Sequence, residues 1–310
     1  MRTSALEQCR SATCRSVKRR SRGPRLESAA CIGRRFARHG QHERAATIDL
    51  AALCIGARRR ACYSAVEREK LNVVGLMYGE GRAAMELNAD FSRRVVVHAA
   101  RLSWVPSPMA GVERRMLDRI GDEVARATSI VRYVPDSHFS PHTHGGGEEF
   151  LVLEGMFQDE HGDFPAGSYV RNPPTSHHTP GSAPGCILFV KLWQFDPADR
   201  TQVRLNTGTL PYQPATDRPG VEVIRLFSDR REDVRLERWA PGATITLNVS
   251  GGAEVLVLAG GFAEGGERFE PQSWLRLPVG SALAAKAGPE GCKVWVKTGH
   301  FLRIEGVNRT

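Results

Sequence analysis

One stretch of this chain is written twice. Glu149-Phe150-Leu151-Val152-Leu153-Glu154-Gly155 recurs as Glu254-Val255-Leu256-Val257-Leu258-Ala259-Gly260, 105 residues later. Tyr169-Val170-Arg171-Asn172-Pro173 recurs as Trp274-Leu275-Arg276-Leu277-Pro278 at the same offset. Gly185-Cys186 and Lys191 recur one residue further on, as Gly291-Cys292 and Lys297. Three blocks in one order, with a single slip, are two copies of a domain of about 100 residues. Whatever this chain folds into must therefore be a unit that can be built twice. The joint falls at residues 196–220, where Pro197, Pro211, Pro214 and Pro219 interrupt regular structure.

The unit reads as β-structure. Residues 128–134, 149–157 and 186–195 are short alternating runs bounded by Pro, Gly and Asp, the pattern of strands in a barrel or sandwich. Residues 112–124 are expected to hold a helical turn or two, and no segment reads as a long amphipathic helix. The longest apolar stretch near the N-terminus, residues 47–57, is about half of what a spanning helix needs, and Arg58, Arg59 and Arg60 follow it. No membrane partner is expected.

The formal charge of +9 fits a nucleic-acid binder only until it is divided by position. Residues 1–84 carry 18 Lys+Arg against 7 Asp+Glu, whereas residues 85–310 carry 25 against 27. Basic character thus belongs to the first segment, where it comes in clusters without helical or strand period. A nucleic-acid arm and a transit peptide are two readings of that segment; Glu7, Glu27 and Glu43 count against the second. The reading adopted is a basic, disordered or non-native extension, with native translation expected to start at Met85. Gly79-Glu80-Gly81 just ahead of it can be encoded by a purine-rich ribosome site. The seven cysteines are odd in number, irregularly spaced and without a C-x-x-C pair. They support neither a disulfide framework nor a zinc finger, so a reducing cytoplasm is the simpler location.

Six of the ten histidines lie between His138 and His178. In the segment His142-Thr143-His144-Gly145-Gly146-Gly147-Glu148, residues two apart on an extended strand present two imidazoles to one face. The glycines allow the chain to turn and bring Glu148 back. Imidazole nitrogen with one carboxylate oxygen suits Zn²⁺, Fe²⁺ or Mn²⁺. By itself the pattern is equally compatible with an exposed loop or a hydrogen-bonded core pair.

The spacing resembles the cupin family. Its first motif, G-x5-H-x-H-x3-4-E-x6-G, is met by His142, His144, Glu148 and Gly155, with Asp136 in place of the leading glycine. Its second, G-x5-P-x-G-x2-H-x3-N, is met by Gly167, Pro173 and His178, with Thr175 in place of the glycine and Ser182 in place of the asparagine. The resemblance implies an all-β fold of two tandem cupin barrels (double-stranded β-helix, or jelly-roll) with few short helices. It also implies one divalent metal per chain, Zn, Fe or Mn, held by His142, His144, Glu148 and His178. The expected layout is an extension at 1–84, a metal-binding cupin at 85–200, a linker at 201–220 and a second cupin at 221–303. At the repeat offset the four ligands become Leu247, Val249, Ala253 and Leu283, so the second barrel is expected to be packed with side chains and to bind no metal.

Within the cupins, residues 142–155 and 165–174 look like the ChrR-type branch, which includes an anti-sigma factor, stand-alone proteins and some carbon–carbon-cleaving dioxygenases. ChrR binds its sigma factor through a helical zinc domain with the spacing H-x3-C-x2-C, which residues 1–84 lack; anti-sigma activity is not carried over. Two functions remain. One is a metal-dependent dioxygenase acting on a small diketone or hydroxyaryl ketone. The alternative is a non-enzymatic zinc-binding sensor, regulatory or small-molecule-binding protein. The expected partner is a small-molecule ligand, with a homodimer left open and no nucleic acid.

Other residues have plainer readings. His177 is expected to be exposed, and His138 and His161 to sit at a strand end and a turn. Cys186 and Cys292 read as buried thiols, and Tyr133, Phe150, Phe189 and Trp193 as core. Arg171 reads either as a cavity arginine for an anionic ligand or as a surface strand arginine.

Overall fold

A computed structural model describes residues 84–304. The expectations for residues 1–83 lie outside the described residues. Two antiparallel sheets account for almost all the regular structure, with two single turns of 3-10 helix at Ala99–Arg101 and Thr207–Thr209. The fold is all-β, two tandem barrels. The helical turns expected at 112–124 are absent: Val112–Ile120 is a strand paired with Arg126–Tyr133. Val112, Met116 and Ile120 find cross-strand partners, with Leu117 buried at a register shift between Met116 and Asp118, and tertiary pairing overrides a weak local preference.

In the first sheet the order is Glu86–Leu87, Val112–Ile120, Arg126–Tyr133, Cys186–Leu192, Glu148–Asp159, Ser168–Asn172, Val203–Asn206. In the second it is Gln213–Pro214, Val221–Ser228, Asp233–Trp239, Ser281–Thr298, Ala253–Glu264, Ser273–Leu277, Val95–His98. The last strand of each sheet comes from the other half of the chain. Val95–His98 pairs with Ser273–Leu277, and Val203–Asn206 with Ser168–Asn172. The two halves therefore exchange their opening strands. Residues 201–220 are not a plain linker, because 203–206 completes the first sheet.

The repeated block shows why the strands are apolar on both faces. Phe150 and Val152 point into the first barrel, and Val255 and Val257 into the second. Leu151 and Leu256 point the other way, into a third core shared between the barrels with Ile130, Tyr169, Phe189, Leu236, Trp274 and Trp295. Phe189 and Trp295, equivalent in the repeat, meet edge to face at 4.9 Å across this shared core. Each large side chain buried there is worth roughly 1.5–3 kcal/mol, so the sheets are glued on the faces that a lone barrel would leave wet.

Charged residues of the same repeat cross the same interface. Lys191 of the first half bonds Glu254 of the second, and also donates to Thr128 at 2.9 Å. Reciprocally, Lys297 donates to Glu149 at 2.6 Å and lies 2.9 Å from Glu232. Arg171 is neither a cavity nor a surface residue. It is buried, donates to Asp199 (2.6 Å) and Glu232 (2.7 Å), and lies over Phe195 and Phe227. Its counterpart Arg276 pairs with Asp118.

Candidate metal centre

The site is built where two short strands meet. His142–Thr143 pairs antiparallel with His177–His178, and the register sets His142 opposite His178. His144 follows directly, fixed by its N–H to the Ser176 carbonyl (2.9 Å) and by the Thr175 N–H to its own carbonyl (2.9 Å). The ring centroids of His142, His144 and His178 are 4.7–4.9 Å apart. One ring nitrogen from each lies within 4.8 Å of the others, a group able to hold a divalent metal ion. His144 and His178 are buried and His142 is exposed, so the cluster opens to solvent on one side.

Glu148 arrives by the turn expected of the glycines. Gly147 has φ +79°, and a side chain on Gly146 would put Cβ 2.4 Å from the ring of Trp193. The loop lies on that ring, which is 39% exposed rather than core. Glu148 Oε2 ends 3.4 Å from His144 Nε2 and 3.7 Å from His178 Nε2. Its neighbour Glu149 faces the opposite side of the strand, toward Lys297.

The surrounding side chains orient these donors. His178 Nδ1 lies 3.2 Å from Asp159 Oδ2; an N–H donated there leaves the Nε2 lone pair aimed at the cluster. Burial opposes the charged form of His178, but Asp159 and Glu148 outweigh it and raise its pKa. His144 shifts downward, chiefly through burial and then through its two histidine neighbours, against the pull of Glu148. Asn172 Nδ2 donates to Glu148 Oε2 (3.2 Å), and Gln202 Nε2 donates to Asn172 Oδ1 (2.9 Å). Burial, then Glu148 and Cys186, push the Tyr133 phenol well above its usual pKa. Sequence reading missed Asp159, Asn172 and Gln202. Asn172 pairs in register with Glu148, a relation legible only once the strands are aligned.

The donor set passes a direct test of fit. His144 Nε2 is buried and has no hydrogen-bond partner, although buried polar atoms are almost always satisfied. A cation held among the three imidazoles would supply the missing partner.

The second half repeats the geometry without the chemistry. Leu247 pairs with Leu283 in register, as His142 pairs with His178. Val249, Ala253 and Leu283 are buried in the second barrel's core, with Leu247 packed against it. None of these side chains carries a lone pair.

Residues 92–196 match the ChrR cupin-like domain family. Those residues form a ChrR-like cupin domain. Solved structures agree on the fold at low identity. A Nostoc punctiforme protein with a provisional dioxygenase description has TM-score 0.57 and 15% identity, over 69% of this chain and 86% of that one. Protein YlbA from E. coli has TM-score 0.54 and 14% identity, over 73% and 97%. The 11S allergen of Cocos nucifera has TM-score 0.50 and 11% identity, over 67% and 90%. No curated protein sequence matches this chain. Among its described residues no helix is long and apolar enough to cross a membrane. Cys186 and Cys292 are buried free thiols, and His177 is exposed, as the sequence implies.

Proposed function

We propose that the first barrel is a mononuclear metal site with His142, His144, Glu148 and His178 as ligands, in a metal-dependent dioxygenase for a small diketone or hydroxyaryl ketone. The observation that carries the metal reading is the buried, unpartnered His144 Nε2 where the other donors converge. When bound, an ion such as Fe²⁺ supplies a Lewis acid for substrate oxygens and an electron source for O₂. Held by four protein ligands, such an ion would still be able to take exogenous groups. The chain's own work is to aim and to shield. Asp159 holds the proton on His178 Nδ1, Asn172 fixes the Glu148 carboxylate, and Tyr133 keeps its phenolic proton beside it. Val131, Phe139, Phe157 and Phe164 wall the interior with apolar surface, which excludes water from the buried side of the cluster. The location proposed is the cytoplasm, and the partner a small molecule.

Elemental analysis of protein purified without added metal is expected to give one ion per chain. His144→Ala should abolish stoichiometric binding, and His177→Ala should leave it near normal. Equal loss in both, or a second ion surviving His144→Ala, would contradict the assignment. Anaerobic loading with Fe²⁺ followed by O₂ and a β-diketone should then give oxygen uptake. Native Zn²⁺ without Fe²⁺ turnover would transfer the site to the sensing or binding reading, since Zn²⁺ has no redox chemistry.

A further inference from the structure

The turn after strand Val221–Ser228 and the loop after Ser281–Thr298 enclose a cavity of about 300 Å³, lined by Arg230, Arg231, Gly299, His300, Leu302 and Arg303. It belongs to the second half of the chain and shares no lining residue with the histidine cluster. Three of its six lining residues are arginines, whereas residues 85–310 as a whole carry slightly more acid than base. Arg231 is tied to Asp196 at 2.8 Å. The nearby Asp229 carboxylate accepts the backbone N–H groups of Arg231 and Glu232 at 2.7 and 2.9 Å. Arg230 and Arg303 are exposed and make no close ion pair among the described residues, although Arg230 stands near enough to Asp196 to act on it electrostatically.

His300 supplies an independent observation. Its side chain is 6% exposed, and neither ring nitrogen has a hydrogen-bond partner. Nε2 faces the Glu254 carboxylate at 3.7 Å and interacts with it electrostatically, which leaves Nδ1 as the nitrogen without a partner. Burial lowers the His300 pKa to about 4 against the opposing pull of Glu254, with Lys297 and Lys191 adding to the fall. Near neutral pH the ring is therefore uncharged and has one N–H to donate. The unpartnered Nδ1 of a buried ring, beside two exposed guanidinium forks, is an arrangement suited to an anionic oxygen.

We propose that this cavity is an oxyanion site that takes a phosphate group through Arg230 and Arg303, with His300 as an additional donor. Arginine forks match tetrahedral oxyanions two bonds at a time. The cavity lies at the small end of ligand sites and is larger than a lone phosphate needs. With Leu302 as an apolar wall, it accommodates a phosphate monoester on a short carbon skeleton.

Isothermal titration of the full chain with inorganic phosphate and with glycerol phosphate tests this. Saturable one-to-one binding is expected, weakened about tenfold or more by R230A/R303A, because each lost bond is to a charged group. His300→Phe should weaken it as well, and His300→Gln, which keeps an N–H, should restore part of the loss and controls for folding. Tighter binding of glycerol phosphate identifies an ester as the ligand; equal or weaker binding identifies free phosphate. The proposal is overturned if neither probe binds saturably, or if R230A/R303A binds like wild type. Loss of binding in about 150 mM chloride would also overturn it, since screening then accounts for the signal. Loss in His144→Ala would place the phosphate at the metal cluster instead.

Discussion

Thr175 adopts φ +77° and Asp136 φ +59°, and both stand where the cupin motifs carry glycine. Aspartate visits the left-handed region at modest cost, but a β-branched residue there is a true outlier. The loop keeps Thr175 in place because its N–H is committed to the His144 carbonyl. Thr175→Gly should therefore relieve strain of roughly 1–3 kcal/mol, less about 1 kcal/mol of added chain entropy. A rise in thermal midpoint with unchanged metal stoichiometry checks this. Gly146→Ala should do the reverse. Its Cβ would overlap the Trp193 ring, so a cost of roughly 1–3 kcal/mol is expected, with Trp193 fluorescence as the local readout. Asp159→Asn leaves His178 its partner but not its charge; metal affinity measured by chelator competition should fall by about 10- to 100-fold.

Strands that are apolar on both faces also carry charges that the alternation hides. Glu149 and Glu254 open the two repeated blocks, and Lys191 and Lys297 close them. The sequence shows that these residues recur but not that each lysine reaches the other half's glutamate, since that depends on how the two sheets face each other. His142 and His144 were legible because their spacing is local, and His178 only through the family resemblance. Asp159, Asn172 and Gln202 were not, because strand pairing and the exchanged strand bring them in. Lys297→Met should cost roughly 3–5 kcal/mol, leaving Glu149 buried without its cation and Glu232 with Arg171 alone; urea unfolding measures it. Burial raises the Glu232 pKa, but Lys297 and Arg171 outweigh it and lower it from 4.5 to about 2. A depressed carboxylate stabilises above its unfolded pKa and loses that contribution as pH falls through its folded one. Stability should thus decline between about pH 4.5 and pH 2, and Glu232→Gln, already destabilised, should show a shallower decline. An unchanged pH slope in the variant would show that other carboxylates set the acid limit.

At the scale of the whole molecule, neither barrel is finished by its own half. The shared core, the reciprocal lysine–glutamate pairs and the exchanged strands all lie between units that the repeat makes look separable. Differential scanning calorimetry should therefore show one cooperative transition for residues 84–304, with calorimetric and van't Hoff enthalpies equal. Two resolved transitions would mean that the barrels are energetically independent. The repeat announced two domains, and it did so correctly for the number of barrels. It could not announce the exchange, because Val95–His98 and Val203–Asn206 lie outside the three blocks that match. The exchange also gives synthesis a direction. Val95–His98 leaves the ribosome about 180 residues before Leu277, the end of the strand it must pair with, and at translation speeds that interval is roughly 10–40 s. The first barrel closes earlier, once Val203–Asn206 has emerged, but its outer face must wait, still wet, for a partner that has not been made. During that interval the nascent chain presents an unpaired strand and half of a hydrophobic core, the features that chaperones capture.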